Sequence, residues 1–134
     1  MYAIVQSEPL DEAAVRAAVA AESSGAVVYF AGVVRDHDGG RGVRSLEYEA
    51  HPDAEAILAR CCQQVSAETG LAVAAAHRTG HLSVGDVALA AAVSSAHRPE
   101  AFAACALLVE RIKAEVPIWK RQHFADGVSE WVGL

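Results

Sequence analysis

Apolar positions along the chain follow two periods, and each change of period marks an element. Ala54, Ile57, Leu58, Cys61, Cys62 and Val65 recur at intervals of three and four, one face of a helix. His51-Pro52-Asp53 opens that helix, and Gly70 ends it after Thr69. A second helix is expected from Pro99 to Glu115, with Phe102, Cys105, Ala106, Val109 and Ile112 on its buried face. Pro99 suits its first turn, where no N–H is needed, and Pro117 cannot continue it. An Ala-rich stretch from Asp11 to about Ala21 reads as a third helix, stopped by Ser23-Ser24-Gly25. Between the helices lie segments of period two or of continuous β-branched and aromatic residues: Met1–Val5, Ala26–Val34, Val43–Ala50, Leu71–His77 and Asp86–Ser95. In Val43–Ala50, Leu46, Tyr48 and Ala50 oppose Ser45, Glu47 and Glu49, and in Asp86–Ser95, Val87, Leu89, Ala91 and Val93 share one side. Asp36–Gly42 reads as a turn-rich loop, and Ile118–Leu134 as an irregular or β segment. The order β-α-β-β-α-β-β-α-β gives an α+β sandwich with a mainly antiparallel sheet and about three helices, not a doubly wound fold.

The 134 residues fit one domain spanning 1–134, with no repeat or linker to divide it. No apolar run reaches the roughly 18 residues that cross a bilayer, and no signal-peptide pattern follows Met1, so a soluble, cytoplasmic protein is expected. The net charge of −6 argues against nucleic acid as a partner but leaves room for a local anion site. Cys61, Cys62 and Cys105 fall on helical apolar faces and read as buried thiols. The sequence holds 29 alanines and nine arginines but only two lysines, Lys113 and Lys120. Where Arg fills nearly every basic position, a retained Lys invites a chemical reason, because an amine can shed its proton and a guanidinium cannot.

Three constellations carry candidate chemistry. Arg35 ends the strongest strand and precedes the glycine-rich loop, a place where a scaffold-fixed cation can hold an anion. That loop lacks the Gly-Lys-Ser/Thr ending of a nucleotide-binding loop. Ser94-Ser95-Ala96-His97-Arg98-Pro99 lies where a strand passes into a helix; it reads either as an anion pocket at the helix start or as a serine cap with solvated His97 and Arg98. Lys113 and Lys120 flank Pro117, and a chain turning there can bring both amines together. Their mutual repulsion, and desolvation by Ile112, Ile118 and Trp119, would lower a lysine pKa toward neutrality. Two solvated lysines are the plainer alternative. Of six histidines, only His77 and His81 have ligand-like spacing, across an apparent turn, so no metal site is assigned.

The blocks Phe30-Ala-Gly-Val-Val-Arg35-Asp-His37, His77-Arg-Thr-Gly80 with Val84-Gly-Asp86, Ser95-Ala-His-Arg98 and Lys113-x-x-x-Pro117-x-Trp119-Lys120-Arg121 together resemble the catalytic (large) subunit of molybdopterin synthase, in order and spacing, from about Ser24 to Trp131. The resemblance implies an α/β hammerhead-type fold. It implies a sulfurtransferase that converts cyclic pyranopterin monophosphate into molybdopterin by installing two dithiolene sulfurs. The sulfur comes from the C-terminal Gly-Gly thiocarboxylate of a small ubiquitin-like partner, with no cofactor or metal of the enzyme's own. The family forms a heterotetramer around a dimer of large subunits, and the dimer mate can contribute to the pocket. By resemblance Lys113 and Lys120 are the two catalytic lysines. One engages the thiocarboxylate carbonyl, with a transient isopeptide bond as one route, and the other moves protons or aids opening of the phosphate ring. Arg35, His97 and Arg98 would hold phosphate and pterin, Val33 and Val34 would supply backbone beside them, and Arg121 and Gln122 would extend the same wall. Relatives often carry an acidic residue where this chain has Gln122. Two other readings stay open: a non-catalytic module that binds a ubiquitin-like partner, and an unrelated Schiff-base lysine enzyme.

Overall fold

The two middle strands of the first sheet carry runs of alanine, and that fixes the layering. In the computed structural model, which describes residues 1–133 with side chains through Trp131, β1 (Ala3–Gln6), β5 (Ala72–Arg78), β7 (Val87–Ser95) and β2 (Ala26–Val33) form one sheet in that order. β1 runs parallel to β5 and the other pairs are antiparallel. Ala74, Ala76, Ala90 and Ala92 pack with Val15 of α1 (Glu12–Ala17) and with Val19 just beyond it. Val73, Ala75, Leu89, Ala91 and Val93 face the opposite way, into the core shared with α2 (Ala54–Thr69) and α3 (Arg98–Glu115). Both faces are therefore covered. That is why β7 is buried along nearly its whole length rather than on the one side expected from its alternation.

The second sheet has the order β3 (His37–Asp38), β4 (Arg41–Ala50), β8 (Ile118–Phe124), β9 (Ser129–Gly133), with β6 (Gly80–Ser83) also paired to β4. Two of these strands occupy segments read as turns. β6 pairs Leu46 with Leu82 and Tyr48 with Gly80, and β3 closes a two-residue hairpin on Arg41 and Gly42. The C-terminal segment is a hairpin through residue 133; Leu134 lies outside the described residues. The chain passes from the first sheet to the second at Arg78-Thr79-Gly80. There Gly80 takes φ +85°, a conformation that a side chain disfavours, and Thr79 N–H donates to Gln6 O at 2.8 Å.

The α+β fold with three helices agrees with the sequence reading, and two details differ. α1 stops at Ala17, because Val19 turns inward and its carbonyl accepts from the Ser94 hydroxyl at 2.5 Å, drawing the chain off the helix axis. On α3 the buried stripe is Ala101, Ala104, Cys105, Leu108, Val109 and Ile112. Phe102 is 60% exposed and Ala106 is also outside the core, since the small residues at 101 and 104 let the helix lie close to the sheet on that side. α2 matches its expected stripe and ends on Gly70 in the left-handed conformation, φ 73°. The three thiols are buried. No helix among the described residues is long and apolar enough to cross a membrane.

Candidate active site

A cavity of about 250 Å³ opens where the two sheets meet the C-terminal end of α3. Three chain segments converge on it. The first is the end of β2, where a bulge between Gly32 and Val33 redirects the strand. Val34 N–H then donates to Asp86 O at 2.9 Å, and Gly85 N–H donates back to Val34 O at 2.8 Å. Asp86 itself accepts from Ser83 N–H at 2.9 Å and lies 3.4 Å from the Arg78 guanidinium. The His77-Arg78-Thr79-Gly80 and Val84-Gly85-Asp86 blocks thus clamp the strand end that presents Val33, Val34 and Arg35. Val34 is buried, whereas Val33 is half exposed at the rim.

The second segment is the last turn of α3, and the third is β8. Pro117 turns the chain between them, so that Lys113 and Lys120 line the same cavity, as does Gln122. Burial holds the Lys120 amine below the ordinary lysine range, and Lys113 and Arg35 push it the same way while Asp38 opposes them. The two amines are therefore near enough to feel one another. Ile112 and Ile118 are buried beside them, but Trp119 is 45% exposed on the other face of β8 and gives no such shielding.

Asp38, on the β3 hairpin, is the carboxylate of this cluster. The Gln122 amide holds its carboxyl below the usual value, with Arg35 and Lys120 adding to the effect. Arg35 donates to it at 3.1 Å. Gln122 Oε1 is left buried without a hydrogen-bond partner among the described residues.

His77 is a cavity residue that the sequence reading took as half of a candidate metal pair and as part of a motif block, without assigning it to the site. It is 5% exposed, its ring meets Tyr48 edge-on at 5.1 Å between centroids, and its Nδ1 lies 2.8 Å from Arg78 O. That carbonyl requires Nδ1 to carry the proton, which leaves Nε2 as an acceptor. Burial, with Lys113 acting the same way, drives the ring pKa down to about 4 against the contrary pull of the Arg78 carbonyl. The signal in the sequence was its position at the end of an alanine strand, directly before the chain changes sheets.

The remaining expected site residues are elsewhere. His97 and Arg98 are exposed at the start of α3, about 22 Å from Lys113 at 1.5 Å per helical residue. His97 is the cap position and makes no side-chain cap bond; Ser95 Oγ accepts from His97 N–H at 3.4 Å and Ser94 is turned to Val19, so neither serine caps the helix. Arg121 does not share a wall with Lys120 and Gln122. Successive strand residues point to opposite faces, and its guanidinium lies 5.8 Å from the Trp131 ring centroid on the outer side.

Residues 5–115 match the MoaE protein family. The chain is 43% identical to molybdopterin synthase catalytic subunit 1 of Mycobacterium tuberculosis, covering 98% of this chain and 90% of that one. The crystal structure of molybdopterin synthase from Staphylococcus aureus superposes with a TM-score of 0.90 at 40% identity, over 99% of this chain and 97% of the other. A complex of subunits 1 and 2 of molybdopterin-converting factor from Helicobacter pylori shares the fold, with a TM-score of 0.73 at 20% identity, over 98% of this chain and 88% of that one. With three of its four motif blocks folded around one cavity, the chain belongs to the MoaE family, whose relatives are catalytic subunits of molybdopterin synthase.

Proposed function

We propose that this protein transfers sulfur to cyclic pyranopterin monophosphate, taking it from the C-terminal Gly-Gly thiocarboxylate of a small ubiquitin-like partner. The observation that carries this reading is the pairing of Lys113 and Lys120 in one cavity, where burial and like charge depress the Lys120 pKa. An amine in that state is a usable nucleophile or base. The thiocarboxylate sulfur bonds to a side-chain carbon of the pyranopterin as that carbon's bond to oxygen breaks, the oxygen staying on the phosphate as its ring opens at one carbon and leaving as water at the other. The acyl–sulfur bond then breaks as water, or a lysine in a transient isopeptide bond, takes the acyl group. The partner leaves as a carboxylate, and a second thiocarboxylated partner repeats the cycle to complete the dithiolene.

Arg35 stands at the outer part of the cavity, suited to the phosphate. His97 and Arg98 of the same chain are too distant to help. We assign them to the cavity of a second copy in a central dimer, with a small subunit at each end of the assembly. A cationic cavity within a chain of net charge −6 suits an anionic substrate and a carboxyl-derived tail.

The test mixes the purified protein with thiocarboxylated small subunit and cyclic pyranopterin monophosphate and assays molybdopterin. Product that disappears in Lys113→Ala and in Lys120→Ala is the expected result. Tight partner binding without product would favour a docking module instead.

A further inference from the structure

A carboxylate stands among the cations of the cavity mouth. Arg35, just past the end of β2, donates from Nη2 to Asp38 Oδ1 at 3.1 Å, the two side chains being 65% and 36% exposed. Asp38 sits on the β3 hairpin, whose turn Gly39 and Gly40 make with φ of +57° and +79°. The Lys120 amine of β8 lies within the field of both Asp38 and Arg35. Lys113 of α3 and His37 also line the cavity, and His37 is held by Asp36 at 2.9 Å. His77 of β5, buried and neutral above a pKa of about 4, adds no charge.

An exposed ion pair of this kind adds little to folding. Its weight falls instead on whatever Arg35 binds. One bond to Asp38 leaves most of the five-donor guanidinium fork for a second anion, and two anions on one guanidinium lie within about 6 Å of each other. Repulsion from the carboxylate scales with the charge of that second anion. A cyclic phosphodiester has one ionisable oxygen and carries a single charge. A phosphate monoester carries about 1.5 to 2 charges at pH 7, because its second pKa is about 6. The proposed reaction turns the first into the second, since opening of the phosphate ring leaves the phosphate with one ester bond and a newly freed oxygen.

We propose that Asp38 sets the charge preference of the Arg35 anion site, admitting the singly charged cyclic phosphodiester of the substrate and repelling the doubly charged monoester that ring opening creates. This assignment rests on the proposed function and adds to it a specificity residue and a driving force for product release. No bond forms or breaks at Asp38. Without it, Arg35, Lys113 and Lys120 would hold the product more tightly than the substrate. With it, the charge gained in the reaction meets a carboxylate already in place.

The experiment measures, by titration calorimetry, binding of cyclic pyranopterin monophosphate and of a 6-alkylpterin phosphate monoester to the full-length protein, to Asp38→Asn and to Asp38→Glu. Each is measured at about pH 5 and about pH 7.5, on either side of the second phosphate pKa. The Asp38 carboxyl, held below the usual carboxylate range, is charged at both. In Asp38→Asn the cyclic diester is expected to bind about threefold more tightly at both pH values, the worth of one unit charge at this range in a wet site. The monoester should gain about threefold at the lower pH, where it carries one charge, and about tenfold at the higher, where it carries two. Asp38→Glu keeps the charge and should discriminate as the unaltered protein does. His37 and the lysines are common to all three proteins, so the differences isolate position 38. Equal gains for the two ligands at the higher pH would overturn the assignment and leave the proposed function standing. So would weaker binding of both ligands to Asp38→Asn, since Asp38 would then only position Arg35. Absence of any complex between the unaltered protein and cyclic pyranopterin monophosphate would defeat the proposed function, and the assignment with it.

Discussion

The two ends of α3 carry similar side chains in dissimilar surroundings. At the C-terminal end Lys113 faces Lys120 across a cavity, with Asp38, Arg35, His77 and Gln122 around them. At the N-terminal end His97 and Arg98 stand exposed, and the helix start has no side-chain cap. The same charges differ in what they can do, because enclosure is what alters an amine. Lys120 has its pKa lowered first by burial. An exposed cation holds an anion only weakly unless a second surface closes over it.

The sharpest way to break this comparison is at the enclosed end. Lys120→Ala should lower molybdopterin formation by at least about a hundredfold, within the range of a lost acid–base or nucleophilic group, while thermal melting and partner affinity stay close to those of the unaltered protein. Turnover retained in that variant would reduce the cavity to a binding pocket. At the open end, Arg98→Ala should raise the substrate dissociation constant by about tenfold, the worth of one charge-assisted hydrogen bond. Mixed dimers sharpen the point. Pairing an Arg98→Ala protomer with a Lys120→Ala protomer leaves one complete cavity if the dimer mate supplies Arg98. Activity should then reappear on mixing two weak preparations, and no recovery would leave Arg98 outside the reaction.

A smaller effect concerns the charges that set the Lys120 amine. Lys113 and Arg35 lower its pKa and Asp38 raises it. Asp38→Asn removes the neighbour that favours the ammonium form, so the alkaline rise of the pH–rate profile should move to lower pH. A shift the other way would mean that Asp38 does not act on Lys120. The last prediction concerns stability. His77 has a folded pKa near 4 against an ordinary 6.5, so the unfolded chain takes up its proton first as pH falls. The stability due to neutral His77 is complete above 6.5 and declines as the pH falls from there toward 4. The melting temperature of the unaltered protein should fall across that window more steeply than that of His77→Phe.

Much of this was legible along the chain because the relevant signals are local. The α2 stripe, its Gly70 stop and the turn at Pro117 are written within a few residues of where they act. So was the convergence of Lys113 and Lys120, since a proline between a helix end and a strand leaves the chain few directions. What escaped depends on distant partners or on strand parity. β6 has one buried apolar residue, Leu82, and exists because β4, more than thirty residues earlier, pairs with it. Arg121 sits next to Lys120 in sequence and on the opposite face in space, an outcome that follows only once the segment is known to be a strand. His97 and Arg98 look close to a site when read as a helix start, but the 18 residues of α3 carry the cavity to its other end. His77 was named in a motif block but not assigned to the site, because its place in the cavity comes from a corner between two sheets.

The alanine sheet bears on how this protein can change. Between α1 on one side and α2 and α3 on the other, Ala74, Ala75, Ala76, Ala90, Ala91 and Ala92 are all essentially without exposed surface. A methyl group added there has no gap to enter, and overpacking of a filled core typically costs about 1–3 kcal/mol. Substitution in that layer is closed in the direction of larger residues. The second sheet has strands only partly buried, a hairpin at Gly39-Gly40 and an exposed outer face at Trp119 and Trp131. Descent with modification in this chain is thereby channelled into the layer that borders the cavity: one half of the molecule preserves shape, and the other is where new specificities can be drafted.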